Sequence, residues 1–206
     1  MGDLVEVGGL KLMGEIVRLS EETAYIQCYE STSGLKPGEP VVDIGTPLVA
    51  ELGPGLMGQI VDGVERSEIA LWDLTGPFIT RGANIAPLNR EKKWEFKPTV
   101  KPGAKVMGGD VIGMVQETET FVHRIMVPPT LAGTVKSIKA GTYTVADTVG
   151  VLETEAGEEV ELKMMQTWPV RRSRPIKERM ALNAPLITGQ RVIDTFFPCA
   201  KGGASA

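Results

Sequence analysis

Aromatic side chains are scarce in this 206-residue sequence, at 5% of the total, and histidine occurs once, at His123. Few aromatics leave few stacking platforms for bases. A net charge of −4 withholds the basic footprint of a nucleic-acid binder, so no nucleic-acid partner is expected. A lone histidine argues against His-rich metal sites. It leaves a Cys199–His123 dyad formally open, but no local signature supports one, and a strand histidine and a buried helix-end cysteine are the preferred readings. The two cysteines, Cys28 and Cys199, are too few for a disulfide scaffold and fit a reducing cytoplasm. No apolar run approaches the roughly 20 residues of a membrane helix, so no direct membrane insertion is expected. The start, Met1 to Glu6, lacks the basic and apolar regions of a signal peptide.

What the chain does have is punctuation. Glycine (24) and proline (14) make up about 18% of it, above the ~12% of average proteins, and they separate short runs of Val, Ile and Leu. This predicts a mainly β protein. Gly14–Leu19 and Ala24–Tyr29 alternate with period two around the polar turn Ser20–Thr23, with Ala24, Ile26 and Cys28 on one face. Val41–Ile44 and Leu48–Leu52 follow the turn Pro37-Gly38-Glu39-Pro40. Short, closely spaced strands cover their edges by closing up, which predicts a small N-terminal β-barrel over residues 1–67. Residues 68–93 read as a polar, irregular connector. Residues 94–168 are strand and turn again and hold an internal echo, Val106 to Val115 against Val145 to Leu152. Two related half-sheets packed face to face would give that echo, as in the barrel-sandwich folds of biotinyl and lipoyl carrier domains. Residues 169–206 form a basic, proline-bracketed linker and then a short helix, Gly189 to about Phe197, with Thr188 as its cap.

Several motifs invite a chemical reading. Gly53-Pro54-Gly55-Leu56-Met57-Gly58 spells the G-x-G-x-x-G dinucleotide fingerprint and the opening of a phosphate loop. Gln59-Ile60 stands where the loop needs Lys-Ser/Thr, and Gln59–Gly63 reads as a strand where the fingerprint needs a helix. A plain barrel turn is the better reading. Lys163 in Leu162-Lys163-Met164-Met165 is similar to a biotin-carrying lysine, but the hairpin tip that should hold it is Val127-Pro128-Pro129-Thr130. A solvated strand lysine is expected instead. Arg171, Arg172 and Arg174 could touch phosphate, yet a solvated linker or an interface between chains suits an acidic protein better. Within these residues no complete catalytic, cofactor-binding or metal-binding constellation is expected.

Composition and spacing stop there, and resemblance takes the next step. Glu51-Leu52-Gly53-Pro54-Gly55-Leu56, Asp62-Gly63-Val64-Glu65-Arg66, Phe78-Ile79-Thr80-Arg81-Gly82, Ile125-Met126-Val127-Pro128-Pro129 and Trp168-Pro169-Val170-Arg171 follow one another as in catalytic A subunits of archaeal/vacuolar-type rotary ATPases. Pro185 to Asp194 and Phe197 to Gly203 resemble the entry to the nucleotide domain of that family, so a short helical start of an α/β P-loop domain is expected here. Residues 94–168 resemble the bulge that A subunits carry and other head subunits lack. The resemblance implies a further barrel strand before Met1, leaving the barrel incomplete, and a P-loop with its MgATP chemistry beyond Gly203. Ser67 stands where the family usually has proline. It further implies B subunits as partners, the peripheral stalk as a contact of the bulge, and a cytoplasmic place on a membrane-bound complex that couples ATP hydrolysis or synthesis to ion transport. A 206-residue chain without the P-loop is then expected to serve assembly and neither to hydrolyse ATP nor to bind it tightly. A stand-alone barrel-sandwich binding or carrier module is the alternative, and an oligonucleotide-binding barrel a more distant one.

Overall fold

In a computed structural model, which describes residues 2–176 and 178–204, the chain is mainly β and divides into a large unit up to Ser173 and a small one from Arg174. The large unit begins with β1 (Asp3–Val7), β2 (Leu12–Ser20), β3 (Thr23–Cys28) and β4 (Val41–Pro47), an antiparallel sheet ordered β3-β2-β1-β4. The Ser20–Thr23 turn closes β2 onto β3 as expected, with Glu21 at φ 48°. The pairing expected to start at Gly14 starts eleven residues earlier, at Asp3, and β1 lies in the interior of the sheet. The sheet is open, with β3 and β4 at its two edges. Its apolar core is thin: Leu4, Val5 and Leu12 are buried, whereas Val17, Leu19, Tyr25, Val41, Val42 and Ile44 are exposed. Ile26 and Cys28 are half-buried, but Ala24, expected on their face, is exposed.

Next, β5 (Val49–Leu52) leaves that sheet and pairs with β14 (Gln166–Pro169). The connector expected to be irregular contains a helix, α1 (Glu68–Thr75). Ser67 starts it: its hydroxyl accepts from the Ala70 N–H at 3.5 Å, the cap that serine supplies well. Glu68 sits at the positive end of the helix dipole. Gly76 ends it at φ 72°, donating to the Trp72 carbonyl at 2.7 Å.

Between β5 and β14 the chain builds a sandwich of two four-stranded sheets. The first is ordered β11 (Gly141–Tyr143), β6 (Trp94–Pro98), β8 (Val111–Gln116), β9 (Val122–Met126). The second is ordered β7 (Lys105–Met107), β10 (Ala132–Ile138), β12 (Thr148–Thr154), β13 (Glu159–Lys163). The expected echo is real, but the halves interleave rather than forming one sheet each. β6 to β9 and β10 to β13 are equivalent runs, and each run lends its second strand to the other's sheet. The turn chemistry repeats with them: Asp110 accepts from the Met107 N–H at 2.8 Å, and Asp147 from the Thr144 N–H at 2.7 Å. Both copies carry a register shift ending in glycine, Gly113 and Gly150. At each, a Cβ would strike the strand or side chain behind it, Phe96 for Gly113 and the Ser137 carbonyl, 2.6 Å away, for Gly150. Phe96, Ile112, Val115, Val135, Leu152 and Leu162 fill the space between the sheets, joined by Leu88 from the connector.

The small unit pairs β15 (Pro185–Leu186) with β16 (Cys199–Ala200) around α2 (Arg191–Phe196). α2 starts two residues later than expected, and Thr188 does not cap it. Gln190 occupies the cap position without a side-chain bond, and Asp194 reaches back instead, accepting from the Thr188 N–H and hydroxyl and from the Gly189 N–H.

Candidate functional site

The glycine loop after β5 is closely packed and partly left-handed. Gly53 packs so closely that a Cβ there would lie 3.1 Å from Leu88 and 3.2 Å from the Met165 backbone. Gly55, at φ 111°, takes a conformation that a side chain would disfavour. The loop's N–H groups converge, but a carboxylate already fills them. Glu117, just past the end of β8, accepts from Gly55 N at 2.6 Å and Met57 N at 3.0 Å through Oε1. Its Oε2 faces His123 Nδ1 at 2.8 Å. The Glu117 side chain is 2% exposed. Burial alone would raise its carboxyl, but the Met57 and Gly55 N–H groups and the His123 ring outweigh it and hold the group below the usual carboxylate range.

No helix follows the loop, and the strand expected over Gln59–Gly63 shrinks to one bridge, Val61 to Ser67. Asp62 is the cause. Its Oδ1 accepts from Val64 N at 3.1 Å and Arg66 N at 2.8 Å, a local turn that competes with strand pairing. Arg66 then ties three segments together. Its guanidinium donates to Asp62 at 2.7 Å, to Glu30 beyond β3 at 2.7 Å and to the Ala83 carbonyl at 2.8 Å. Burial pushes the Asp62 carboxyl up, but the bonds from Arg66 and Val64 outweigh it and leave the group below its ordinary value.

On α1 only Leu71 is buried. Ile69, Trp72 and Leu74 are exposed, and so are Phe78 and Ile79 just beyond the helix, with Phe78 at 84% and Trp72 at 62%. A cleft of about 550 Å³ runs beside the helix, lined by Ile69, Ala70 and Asp73 on one side and residues 85–91 on the other.

The remaining candidates have structural partners. Arg171 donates at 2.7 Å to Glu15 on β2, a 3% exposed carboxylate that also accepts from the Tyr29 hydroxyl at 3.1 Å. Arg172 stacks over Trp168, whose indole N–H donates to the Arg172 carbonyl at 2.6 Å. Arg174 falls in the small unit. Lys163 lies at the end of β13, 3.5 Å from Glu161, a strand lysine as expected. The Cys199 thiol faces the Phe197 carbonyl at 3.8 Å, and His123 is engaged by Glu117. Among the described residues no group of histidine, cysteine and carboxylate side chains is arranged to hold a metal. Sequence reasoning passed over Glu117 and Glu15, and took Asp62 to Arg66 only as a stretch of the resemblance. Glu117 meets Gly55 62 residues away, Glu15 meets Arg171 156 residues away and Arg66 meets Glu30 36 residues away, and no local spacing announces those contacts.

The family model for the ATP synthase alpha/beta family beta-barrel domain matches residues 1–45, and that for the ATP synthase alpha/beta subunit barrel-sandwich domain matches residues 85–171. The chain belongs to the ATP synthase alpha/beta family. Relatives match it across the whole chain: 53% identity over 206 residues to the V-type ATP synthase alpha chain of Acetivibrio thermocellus, and 55% over 207 residues to the A subunit of the A-type ATP synthase of Thermofilum pendens. The corresponding A-type chain of Pyrococcus horikoshii is 52% identical over 207 residues. All of this chain is covered each time, but only 35%, 34% and 22% of the respective relatives, and the matched part is their N-terminal portion.

Proposed function

We propose that the chain supplies assembly surfaces to the A subunit of a rotary V/A-type ATPase, in which ATP hydrolysis or synthesis is coupled to ion transport. The exposed apolar segment from Ile69 to Ile79 is the observation that carries this reading, because a group of exposed apolar side chains favours burial against a partner. The partners it fits are B subunits of the ATPase head, with the sandwich left to meet a peripheral stalk. MgATP belongs to a nucleotide domain of the whole subunit, on the cytoplasmic side of the membrane. Among the described residues no helix is long and apolar enough to cross a membrane.

The test is a sedimentation titration of the purified chain against the B subunit of a V/A-type ATPase. A heterocomplex is expected, and the Trp72→Ala/Phe78→Ala pair should weaken it at least tenfold, since buried aromatic anchors are worth ~2 kcal/mol or more at interfaces. Equal affinity of the wild type and the pair would remove α1 from the interface. No heterocomplex at all would remove the assignment of the partner.

A further inference from the structure

We propose that Glu117 is a latch: it locks the glycine loop (residues 53–58) to the base of the sandwich, and its release frees the sandwich to swing against the N-terminal sheet. This concerns a joint inside the large unit and stands whether or not the proposed place in an ATPase holds.

The case rests on how the sandwich is attached. It is an insertion between β5 and β14, and these two strands pair over Val49–Leu52 and Gln166–Pro169. A two-stranded ribbon is a compliant stem, because isolated two-stranded pairing is marginal in water. Beyond the stem, Leu56 packs on the sandwich core and Gly53 lies close to Leu88 and Met165, and the described structure adds side-chain ties, among them Arg90 to Glu51 and the Glu117 contacts. Arg90 and Glu51 form an ion pair with the arginine 36% and the glutamate 17% exposed, so solvent screens it in part. Glu117 differs in burial and in geometry. One buried oxygen takes two backbone donors from the loop, and the other faces His123 at the start of β9. The carboxylate therefore joins the β8–β9 hairpin to the segment that leaves the N-terminal sheet.

The loop is shaped for this ligand. Gly53 lets the chain approach Leu88 and Met165, and the left-handed Gly55 aims its N–H at the carboxylate. Gln59 folds back on the Gly55 carbonyl. A turn of successive backbone N–H groups is an anion cradle by construction, and here the anion comes from the protein's own second module. The groups facing Glu117 are the loop N–H donors and, as the one ionisable neighbour acting on it among the described residues, His123. The folded carboxyl is held low, so the latch is closed above the ordinary glutamate value and opens as pH falls through the lower folded value.

Amide exchange and residual dipolar couplings of the full chain test the proposal together. In the wild type the Gly55 and Met57 amides should be protected, and the N-terminal sheet and sandwich should share one alignment tensor. Glu117→Ala should speed exchange at both amides about tenfold or more, since bonds to a charged acceptor are lost, and should split the alignment into two tensors. Val151 and Leu152 on β12 serve as folding controls and should keep their protection. Glu117→Gln keeps the shape and one acceptor oxygen without the charge, so an intermediate change at the same two amides is expected; it also carries the test if the alanine variant fails to fold. Faster exchange with one shared tensor would overturn the swing and leave a local anchor. Unchanged exchange at Gly55 and Met57 in a folded variant would overturn the latch altogether.

Discussion

Removing Arg66 tests how the connector is held to the N-terminal sheet. In the folded chain its guanidinium is 15% exposed and stands between Asp62 and Glu30, which are 22% and 16% exposed. Arg66→Ala leaves two mostly buried carboxylates without their common cation and removes the donor to the Ala83 carbonyl. Breaking a fully buried pair costs about 3–5 kcal/mol, and residual water at these sites lowers that, so a loss of about 2–4 kcal/mol is expected. The loss should be confined to the N-terminal sheet. A urea titration followed by amide resonances reads the modules separately, with Ile16 and Ile26 reporting the sheet and Val135 and Leu152 the sandwich. The pH dependence has a definite sign. The folded Asp62 carboxyl is held below its ordinary value, so its contribution is whole above the unfolded value of about 3.9 and is lost as pH falls through the lower folded one. The gap between wild type and variant should therefore shrink below about pH 4. A loss under about 0.5 kcal/mol at pH 7, the size of an ordinary surface change, would refute the reasoning. So would a gap unchanged from neutral to strongly acid pH.

Hydrogen exchange should rank the modules, with amides of β2 and β3 exchanging faster than those of β10 and β12 in a dilute monomer; equal protection would show that the open sheet is as firmly held as the sandwich. Gly113→Ala should destabilise the sandwich by about 1–3 kcal/mol through overpacking against Phe96, while Gly9→Ala, where a Cβ meets nothing within 4 Å, should be close to neutral in the same melt. Residues 94–165 should fold alone less stably than residues 85–171, because only the longer piece keeps Leu88, which is fully buried in the sandwich core; a melting comparison should show the ~2–5 kcal/mol of a lost core leucine.

Much of the sandwich was legible because its signals are local. Period-two runs and the glycine before each echoed copy, Gly103 and Gly141, all act over a few residues. The interleaving was not legible, since an echo in sequence does not say which sheet each copy joins. β1 was hidden for a different reason: Leu4 and Val5 are both buried, so the strand lacks the alternation that marks one with a single wet face. α1 was hidden because its apolar residues do not mark one inward face; Ile69, Trp72 and Leu74 point outward while Leu71 alone is buried. A helix stabilised by a cap and one anchor, with the rest of its apolar surface exposed, has no core-facing stripe to read. The Glu117 contacts are set by the tertiary fold and have no counterpart in the linear pattern.

The distribution of apolar surface gives the chain a division of labour. In the sandwich each half lends a strand to the other, so neither sheet is complete alone and burial is concentrated between them. The connector's Leu88 completes that core. The N-terminal sheet is the opposite case, with two open edges, a buried apolar set of Leu4, Val5 and Leu12, and valines, leucine and tyrosine facing out. Unpaired strand edges with apolar neighbours invite another chain, and an isolated protein pays for that with a tendency to self-associate. The sheet and α1 are joined by Arg66, which reaches from the turn before α1 to Glu30 behind β3. That contact ties the connector carrying the exposed helix to the end of edge strand β3.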